Sequence, residues 1–365
     1  MACAYYIGIM SGTSLDGVDV ALVASQDGQF KLVSNHFSAY PEPIKQQLLA
    51  LHQPQQNELE DTAIISNKLA QLYADAVNTL LHQNQLNPQQ VKAIGCHGQT
   101  IRHRPELGFT LQIGNNALLA ELTGITVVGD FRSRDIAAGG QGAPLVPAFH
   151  LAAFGSHQKS RAIVNIGGIA NITYLPKTGE VIGFDSGPGN MLLDYWIKLK
   201  LGLDYDANGN WAATGGVIQS FLDSMLADPY FVLPPPKSTG RDLFNETWLK
   251  QHLLYPHCRP QDVARTLVEL TAYSIYKAIT LHCPNVDEVY LCGGGAHNQL
   301  LIDILQKMLI STPISNTNAL GIDIDWVEAA AFAWLAQQTL DNKPANLPSV
   351  TGAQGLRVLG AIFPA

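Results

Sequence analysis

At 365 residues the chain is too long for one compact core, so two domains are expected. Its 47% apolar and 14% charged content is that of an ordinary globular protein, and a net charge of −8 argues against a nucleic-acid surface. No run reaches the roughly 18 apolar residues of a membrane-spanning helix, so no membrane partner is expected.

In chain order, MACAYYIGIM carries no basic leader and enters a strand almost at once. Tyr5 to Val23 reads as strand, Gly/Ser/Thr turn and second strand, with Asp16 and Asp19 just beyond the turn. Phe30 to Tyr40 is a third strand, broken by Pro41 and Pro43. Glu58 to Asn84 has helical spacing at Ile64, Leu69, Leu72, Val77 and Leu80. Val91 to Cys96 is a strand stopping at His97-Gly98-Gln99-Thr100. Thr110 to Ile113 is another, Asn115 opens a helix through Leu122, and Val127-Val128 is strand-like.

The composition changes at Gly129, where GDFRSRD joins a Gly-rich loop at Ala138 to Ala143; this reads as a domain crossing. Three short strands follow at Ala162 to Val164, Ile172 to Leu175 and Val181 to Phe184, a second strand-turn-strand block like the first. Helices are expected at Asn190 to Leu201, Val217 to Ala227 and Asp262 to Leu281, with a stiff Pro-triplet loop at Leu233 to Asp242. Val289 to Cys292 is a strand ending in three glycines. Asn298 to Ile310 and Ile324 to Leu340 are helices. Strands alternating with long helices imply an α/β protein, and the two similar starts suggest an internal duplication.

The five cysteines (Cys3, Cys96, Cys258, Cys283, Cys292) are odd in number and form no C-x-x-C pair. They suggest neither a disulfide framework nor a zinc site, and they fit reduced thiols in the cytoplasm. The chain has no Walker motif, no G-x-G-x-x-G, no H-E-x-x-H and no G-x-S-x-G.

Four constellations remain. In Gly12-Thr13-Ser14, glycine and hydroxyls offer main-chain N–H groups to a phosphate. Asp16 and Asp19 suit a Mg²⁺ that itself carries the phosphate, mostly through water. Read alone, the same segment fits an ordinary hairpin equally well. Asn165-Ile166-Gly167-Gly168 is a second glycine turn that would clasp phosphates from the other side. Gly293-Gly294-Gly295, leading to Asn298, leaves room for a flat ring beside bare backbone at a helix start. Gly183 to Asn190 presents Asp185 on a Gly/Pro turn, where a carboxylate serves either as general base or as a turn acid.

YYIGIMSGTSLDGVDVALV, VGDFRSRDIAAGGQGAPLVPAFH, AIVNIGGIANITYL, GFDSGPGNMLLD and VYLCGGGAHN, in this order, resemble the anhydro-N-acetylmuramic acid kinases of the sugar kinase, Hsp70 and actin superfamily. The resemblance covers almost the whole chain. It implies a two-domain, duplicated actin-like ATPase (ribonuclease H-like) α/β fold with an interdomain cleft. Residues 1–129 plus a tail of about 345–365 would form one domain and 130–344 the other.

The resemblance also implies that ATP, Mg²⁺, water and 1,6-anhydro-N-acetylmuramic acid give N-acetylmuramic acid 6-phosphate and ADP in cell-wall recycling. Asp185 aligns with the family's general base. ATP contacts are expected along Gly12, Thr13, Ser14, Leu15, Asp16, Gly17, Val18 and Asp19, and at Asn165, Gly167, Gly168, Gly293, Gly294, Gly295 and Asn298. Asn165 stands where the superfamily usually has Asp, which leaves Asp16 and Asp19 as the metal candidates.

The sugar is expected near Asp130, Arg132, Arg134, Asp185, Gly187 and Asn190, with one of the two arginines reading the lactyl carboxylate. His97 and Gln99 either face the same site or serve the core. A homodimer is expected for the family. Two other readings stay open: a sugar kinase acting on a free hydroxyl, and a non-catalytic ATP-gated clamp.

Overall fold

The computed structural model describes residues 3–12, 14–26, 28–53, 56–253 and 258–365. The chain divides into two units, Met1–Ala153 with Trp326–Ala365, and Phe154–Asp325.

Unit 1 is built on the strands β1 (Ala4–Met10), β2 (Gly17–Gln26), β3 (Gln29–Ala39) and β4 (Val91–Cys96). A hairpin of β5 (Gln99–Arg104) and β6 (Phe109–Ile113), the strand β7 (Val127–Gly129) and the C-terminal strand Ala361–Phe363 complete it. The main sheet runs β3-β2-β1-β4-β7 and ends on the C-terminal strand. β1, β2 and β3 form an antiparallel meander, while β4 is parallel to β1 and β7 parallel to β4.

Unit 2 contains β8 (Arg161–Ile166), β9 (Ile169–Leu175), β10 (Ile182–Pro188), β11 (Glu288–Cys292) and β12 (Ile314–Asn316), in the order β10-β9-β8-β11-β12. Again the first three strands are an antiparallel meander and the last two join in parallel. The two sheets thus share the ribonuclease H-like order, which is the duplication anticipated above. In each, the turn after the first strand is the glycine segment expected to hold phosphate.

The core of unit 1 sits between this sheet and the helix Glu58–Gln83, whose Ile65, Leu69, Tyr73, Val77 and Leu80 are buried on one stripe against Ile7, Ile9, Val20 and Leu22. The other face is covered by the helix Val327–Leu340, in which Ala329 to Ala336 are all buried. This helix lies directly on bare backbone. A Cβ on Gly8 would fall 1.8 Å from Ala329 O, and one on Gly95 would fall 1.9 Å from Phe332 O. That seating explains why the unit boundary differs from the expected one. The chain rejoins unit 1 at Trp326 rather than near 345, because the helix covers β1 and β4. The crossing lies at 153/154 rather than at 129/130, because the loop after β7 is bonded to the C-terminal tail.

Five helices among the described residues have no counterpart in the sequence reading: Glu42–Leu51, Ser133–Ala137, Val146–Phe154, Glu246–His252 and the single turn Pro348–Thr351. The first begins with proline in its opening turn, where the missing N–H has no intrahelical partner in any case. β10 also runs on to Pro188, with a register shift between Asp185 and Gly187, where a turn was expected from Asp185. Among the described residues, no helix is long and apolar enough to cross a membrane.

Candidate functional site

The turn after β1 is fixed from beneath. Ser11 is buried, and its hydroxyl meets Tyr40 Oη at 2.7 Å and donates to the Gln99 side-chain oxygen. Gln99 Nε2 donates to Gly12 O at 3.2 Å. His97 Nδ1 donates to Ser11 O at 3.2 Å, since its Nε2 accepts from the Arg132 guanidinium at 2.9 Å. Burial, then the Arg132 charge, pushes the His97 pKa down to about 3, so the ring is neutral at ordinary pH. His97 and Gln99 therefore serve as turn supports.

Above this base Gly12 is half-buried, and a Cβ there would meet nothing closer than 3.6 Å, which leaves its backbone open to a ligand. Ser14 and Asp16 are exposed and Asp19 is half-buried on β2; Thr13 lies outside the described residues. Leu15 takes φ 60°, a left-handed conformation that turns its side chain into the core. Val18 is also fully buried, and a Cβ on Gly17 would fall 2.3 Å from Ser38 O. The side chains of Leu15 and Val18 thus face the core rather than a nucleotide, and Gly17 makes room for β3. Asp16 lies 3.9 Å from Lys45. Among the described residues no cluster of three or more His, Cys, Asp or Glu could hold a metal alone. Two carboxylates beside a turn of glycine and hydroxyl residues fit the oxygen-donor chemistry of Mg²⁺, which would keep several waters there.

The segment after β7 forms a second polar group in unit 1. Asp130 is exposed at φ 53°, and Ser133 Oγ donates to its Oδ1 at 2.5 Å. Asp135 is fully buried and accepts from Gly142 N, Asn346 Nδ2 and Thr351 Oγ1 at 2.8 to 2.9 Å. Arg132 donates to Gly142 O at 2.8 Å as well as to His97, and burial lowers its pKa to about 10 despite Glu328 and Asp135 nearby. Its guanidinium is thus committed within the protein. Arg134 is exposed on the short helix Ser133–Ala137. Beside this loop lies a cavity of about 220 Å³, whose walls include His97, Leu111, Gln112, Ile113, Asn116 and Asp130.

In unit 2 three glycine segments converge. The two-residue turn Gly167-Gly168 joins β8 to β9, and its carbonyls accept from Asn190 N at 2.8 Å and Gly189 N at 2.9 Å. A Cβ on Gly189 would fall 2.2 Å from Gly167 O. A Cβ on Gly293 would fall 2.3 Å from Asn165 Oδ1, and one on Gly295 2.2 Å from Ile166 Cγ2 and 3.0 Å from Asn190 Oδ1. Asn165, the Gly167-Gly168 turn, Asn190 and the Gly293 to Gly295 run are therefore one contiguous surface. It opens on a cavity of about 510 Å³ whose walls include Asn190, Asp194, Tyr205, Gly294, His297 and Asn298. Asn190, expected beside the sugar, is instead grouped with the glycines expected to hold nucleotide. The reason is that the chain after β10 folds back onto the Gly167-Gly168 turn. Asn298 is buried, and its Oδ1 caps the following helix at Leu301 N, 3.1 Å away. Gly187 is also buried, with a Cβ position 2.8 Å from Phe231, so a larger residue there would strike the aromatic ring.

Asp185 sits on β10 opposite Asn171, three residues from Gly168, or about 10 Å along the strand. Three bonds hold it from one loop and one aromatic. Thr239 N donates to Oδ2 at 2.9 Å, Asp185 N donates to Lys237 O at 3.1 Å, and Tyr230 Oη donates to Asp185 O at 2.8 Å. Oδ1 has no hydrogen-bond partner among the described residues. Burial raises the carboxyl to about 6, against the Thr239 N–H and the Lys237 charge, which pull the other way. A carboxylate with one oxygen anchored, one free and a pKa near neutrality is equipped to take a proton. Thr239, Tyr230 and Lys237 had no signal in the sequence beyond the stiff Pro-triplet loop, because two of their three contacts use the main chain.

A profile described as anhydro-N-acetylmuramic acid kinase matches residues 4–365. The chain is 53% identical over 367 residues to the anhydro-N-acetylmuramic acid kinase of Nitrosospira multiformis, covering 100% of both chains. It is 54% identical over 363 residues to that of Nitrosomonas europaea, covering 99% of this chain and 100% of the relative. Among solved structures, the activator of the 2-hydroxyisocaproyl-CoA dehydratase from Clostridium difficile aligns with a TM-score of 0.48 at 11% identity, covering 93% of this chain and 96% of that one.

Proposed function

Because the chain belongs to the anhydro-N-acetylmuramic acid kinase family, we propose that it converts 1,6-anhydro-N-acetylmuramic acid, ATP and water to N-acetylmuramic acid 6-phosphate and ADP. The observation that carries the chemistry is the Asp185 carboxyl, held by one oxygen and raised to about 6. An anhydro sugar has no free 6-hydroxyl to deprotonate, so the base must act on water. Asp185 takes a proton from the water as its oxygen bonds to the anomeric carbon. The bond from that carbon to O6 breaks, and the freed O6 bonds to the γ-phosphorus as the bond to the β-phosphate oxygen breaks. Phosphoryl transfer itself is mostly positioning and charge neutralisation.

The main-chain N–H groups of the Gly12 to Ser14 turn, and those at Gly167 and Gly168, are proposed for the phosphates. The glycine-lined cavity at Gly294 is proposed for adenosine. Asp16 and Asp19 would hold Mg²⁺, which when bound neutralises phosphate charge. Of the two arginines, Arg134 is proposed to read the lactyl carboxylate, because Arg132 is already bonded to His97 and Gly142. A cytoplasmic homodimer completes the reading, supported for the compartment by five free cysteines.

Release of ADP should be stimulated by 1,6-anhydro-N-acetylmuramic acid and not by N-acetylmuramic acid; the opposite preference would overturn the anhydro-sugar reading. The pH profile gives a second check. Only the ionised base accepts a proton, so kcat/KM should rise about tenfold per pH unit below about 6 and level off above 7. A rate independent of pH between 5 and 7 would remove a carboxylate of this pKa from the mechanism.

A further inference from the structure

We infer that a cavity in unit 2, between the helix Pro260–His282 and residues 231–237, is an effector site for a small amphipathic anion. The ligand is an apolar body carrying one carboxylate or phosphate, and its binding loosens the mount of Asp185. The effector role rests on the kinase reading above; the binding site does not. The cavity has about 320 Å³, near the lower end of the roughly 300 to 1,000 Å³ of small-molecule pockets. It shares no lining residue with the cavity at Gly294, and Ser186 lines it while Asp185 does not.

Helical spacing builds one wall. Tyr273, Lys277 and Leu281 follow at four-residue steps, as do Ser274, Ala278 and His282, so one stripe of the helix faces the cavity. Leu226, Phe231 and Val232 add apolar surface, and Val232 and Leu281 are left open to water.

Charge selects the ligand. Two lysines, Lys237 and Lys277, line the cavity against one carboxylate, Asp223, in a chain whose net charge is −8. Asp223 is exposed and accepts from Gln219 Nε2 at 2.8 Å. Lys277 and His282 have neither a hydrogen bond nor an ion pair among the described residues. Lys237 Nζ donates to Tyr230 O at 3.1 Å and lies 4.5 Å from the centre of that ring. An ammonium carries three N–H donors, so both lysines have donors to spare. Burial, then the Lys237 charge, lowers the His282 pKa, so that ring adds a neutral N–H rather than a third cation. An apolar molecule without charge would leave the donors unused, and a bare inorganic anion would leave the apolar wall wet.

The same residues hold the strand that carries Asp185. Lys237 O accepts from Asp185 N, and Tyr230 Oη donates to Asp185 O. A Cβ on Gly187 would fall 2.8 Å from Phe231 and 3.3 Å from Ser274, both of which line the cavity. An anion bound here draws Lys237 Nζ away from Tyr230 O, and with it the loop to which Asp185 is bonded.

The test is calorimetric titration with octanoate, octyl phosphate, octanol and inorganic phosphate. It is run on the wild type and on Lys277→Met, which keeps the stem and removes the charge. Octanoate or octyl phosphate should bind at least about tenfold more tightly than octanol or inorganic phosphate, the tighter of the two naming the anionic group. Lys277→Met should cut that advantage over octanol by about tenfold. Equal affinities for the octyl anions and octanol, an advantage that survives in Lys277→Met, or displacement of the octyl anion by ADP would each overturn the site. With the tighter anion at saturation, kcat on ATP and 1,6-anhydro-N-acetylmuramic acid should fall about fivefold or more in the wild type, and less in Lys277→Met at the same concentration. Binding with kcat unchanged would overturn the effector role. If the wild type turns over no anhydro sugar, the kinase reading fails and the effector role with it, while the titrations still decide the site.

Discussion

Asp185→Asn is expected to lower turnover by about 10² to 10⁴, the usual worth of a general base. The substitution keeps an oxygen for the Thr239 N–H and leaves both main-chain bonds of residue 185 in place, so the loop at Lys237 to Thr239 stays anchored. What is lost is the capacity of the free oxygen to take a proton. The same variant should gain stability at neutral pH. The folded-state pKa of Asp185 is raised to about 6 from an ordinary value of 3.8, so folding disfavours the carboxylate. That penalty is absent below about pH 4, where the group is protonated folded and unfolded alike. It grows as pH rises from about 4 to about 6 and is on the order of 3 kcal/mol above that. Denaturant titrations at pH 8 should therefore show Asp185→Asn more stable than the wild type, with the difference vanishing near pH 4. Near-wild-type turnover would remove Asp185 from the chemistry; lost stability at pH 8 would mean that the carboxylate is held for structure.

Gly8→Val carries the largest expected effect on the fold. The added side chain starts 1.8 Å from Ala329 O and 2.7 Å from Ala333 N, and both are helix backbone with no rotamer to yield. The helix Val327–Leu340 would have to lift off β1, exposing an apolar face along Ala329 to Ala336. We expect a loss of at least about 3 kcal/mol, the upper end for overpacking in a core. Gly216→Ala is the control, since a Cβ there meets nothing closer than 3.9 Å, and it should cost less than about 1 kcal/mol. Equal denaturation midpoints for the two variants would show that the helix does not rest on β1.

The parts of the fold that were legible in the sequence are those with a period. β1, β2, β8 and β9 showed apolar strands around glycine turns, and Glu58–Gln83 showed its buried stripe at helical spacing. Val146–Phe154 hid its helix because its face toward the interior is not offset by a clear polar stripe. Pro41 and Pro43 were legible as a break but not as a helix start. At the site, glycine runs and Asp185 stood out by composition. The supports beneath them did not, since Ser11 meets Tyr40 and Gln99 across 29 and 88 residues of chain. Nor can sequence distinguish Asn115 from Asn116: one caps a helix and the other faces a cavity only because Gly129 lies beneath it.

The seating of Val327–Leu340 on Gly8 and Gly95 also bears on how the protein is made. A ribosome delivers β1 and β4 long before it delivers the helix that shields one face of their sheet, and the whole of Phe154–Asp325 emerges in between. The second unit is contiguous in sequence and can close on itself while the first still shows water an uncovered apolar surface. Synthesis that stops before Trp326 would therefore leave the earlier-made half, rather than the later-made one, unfinished.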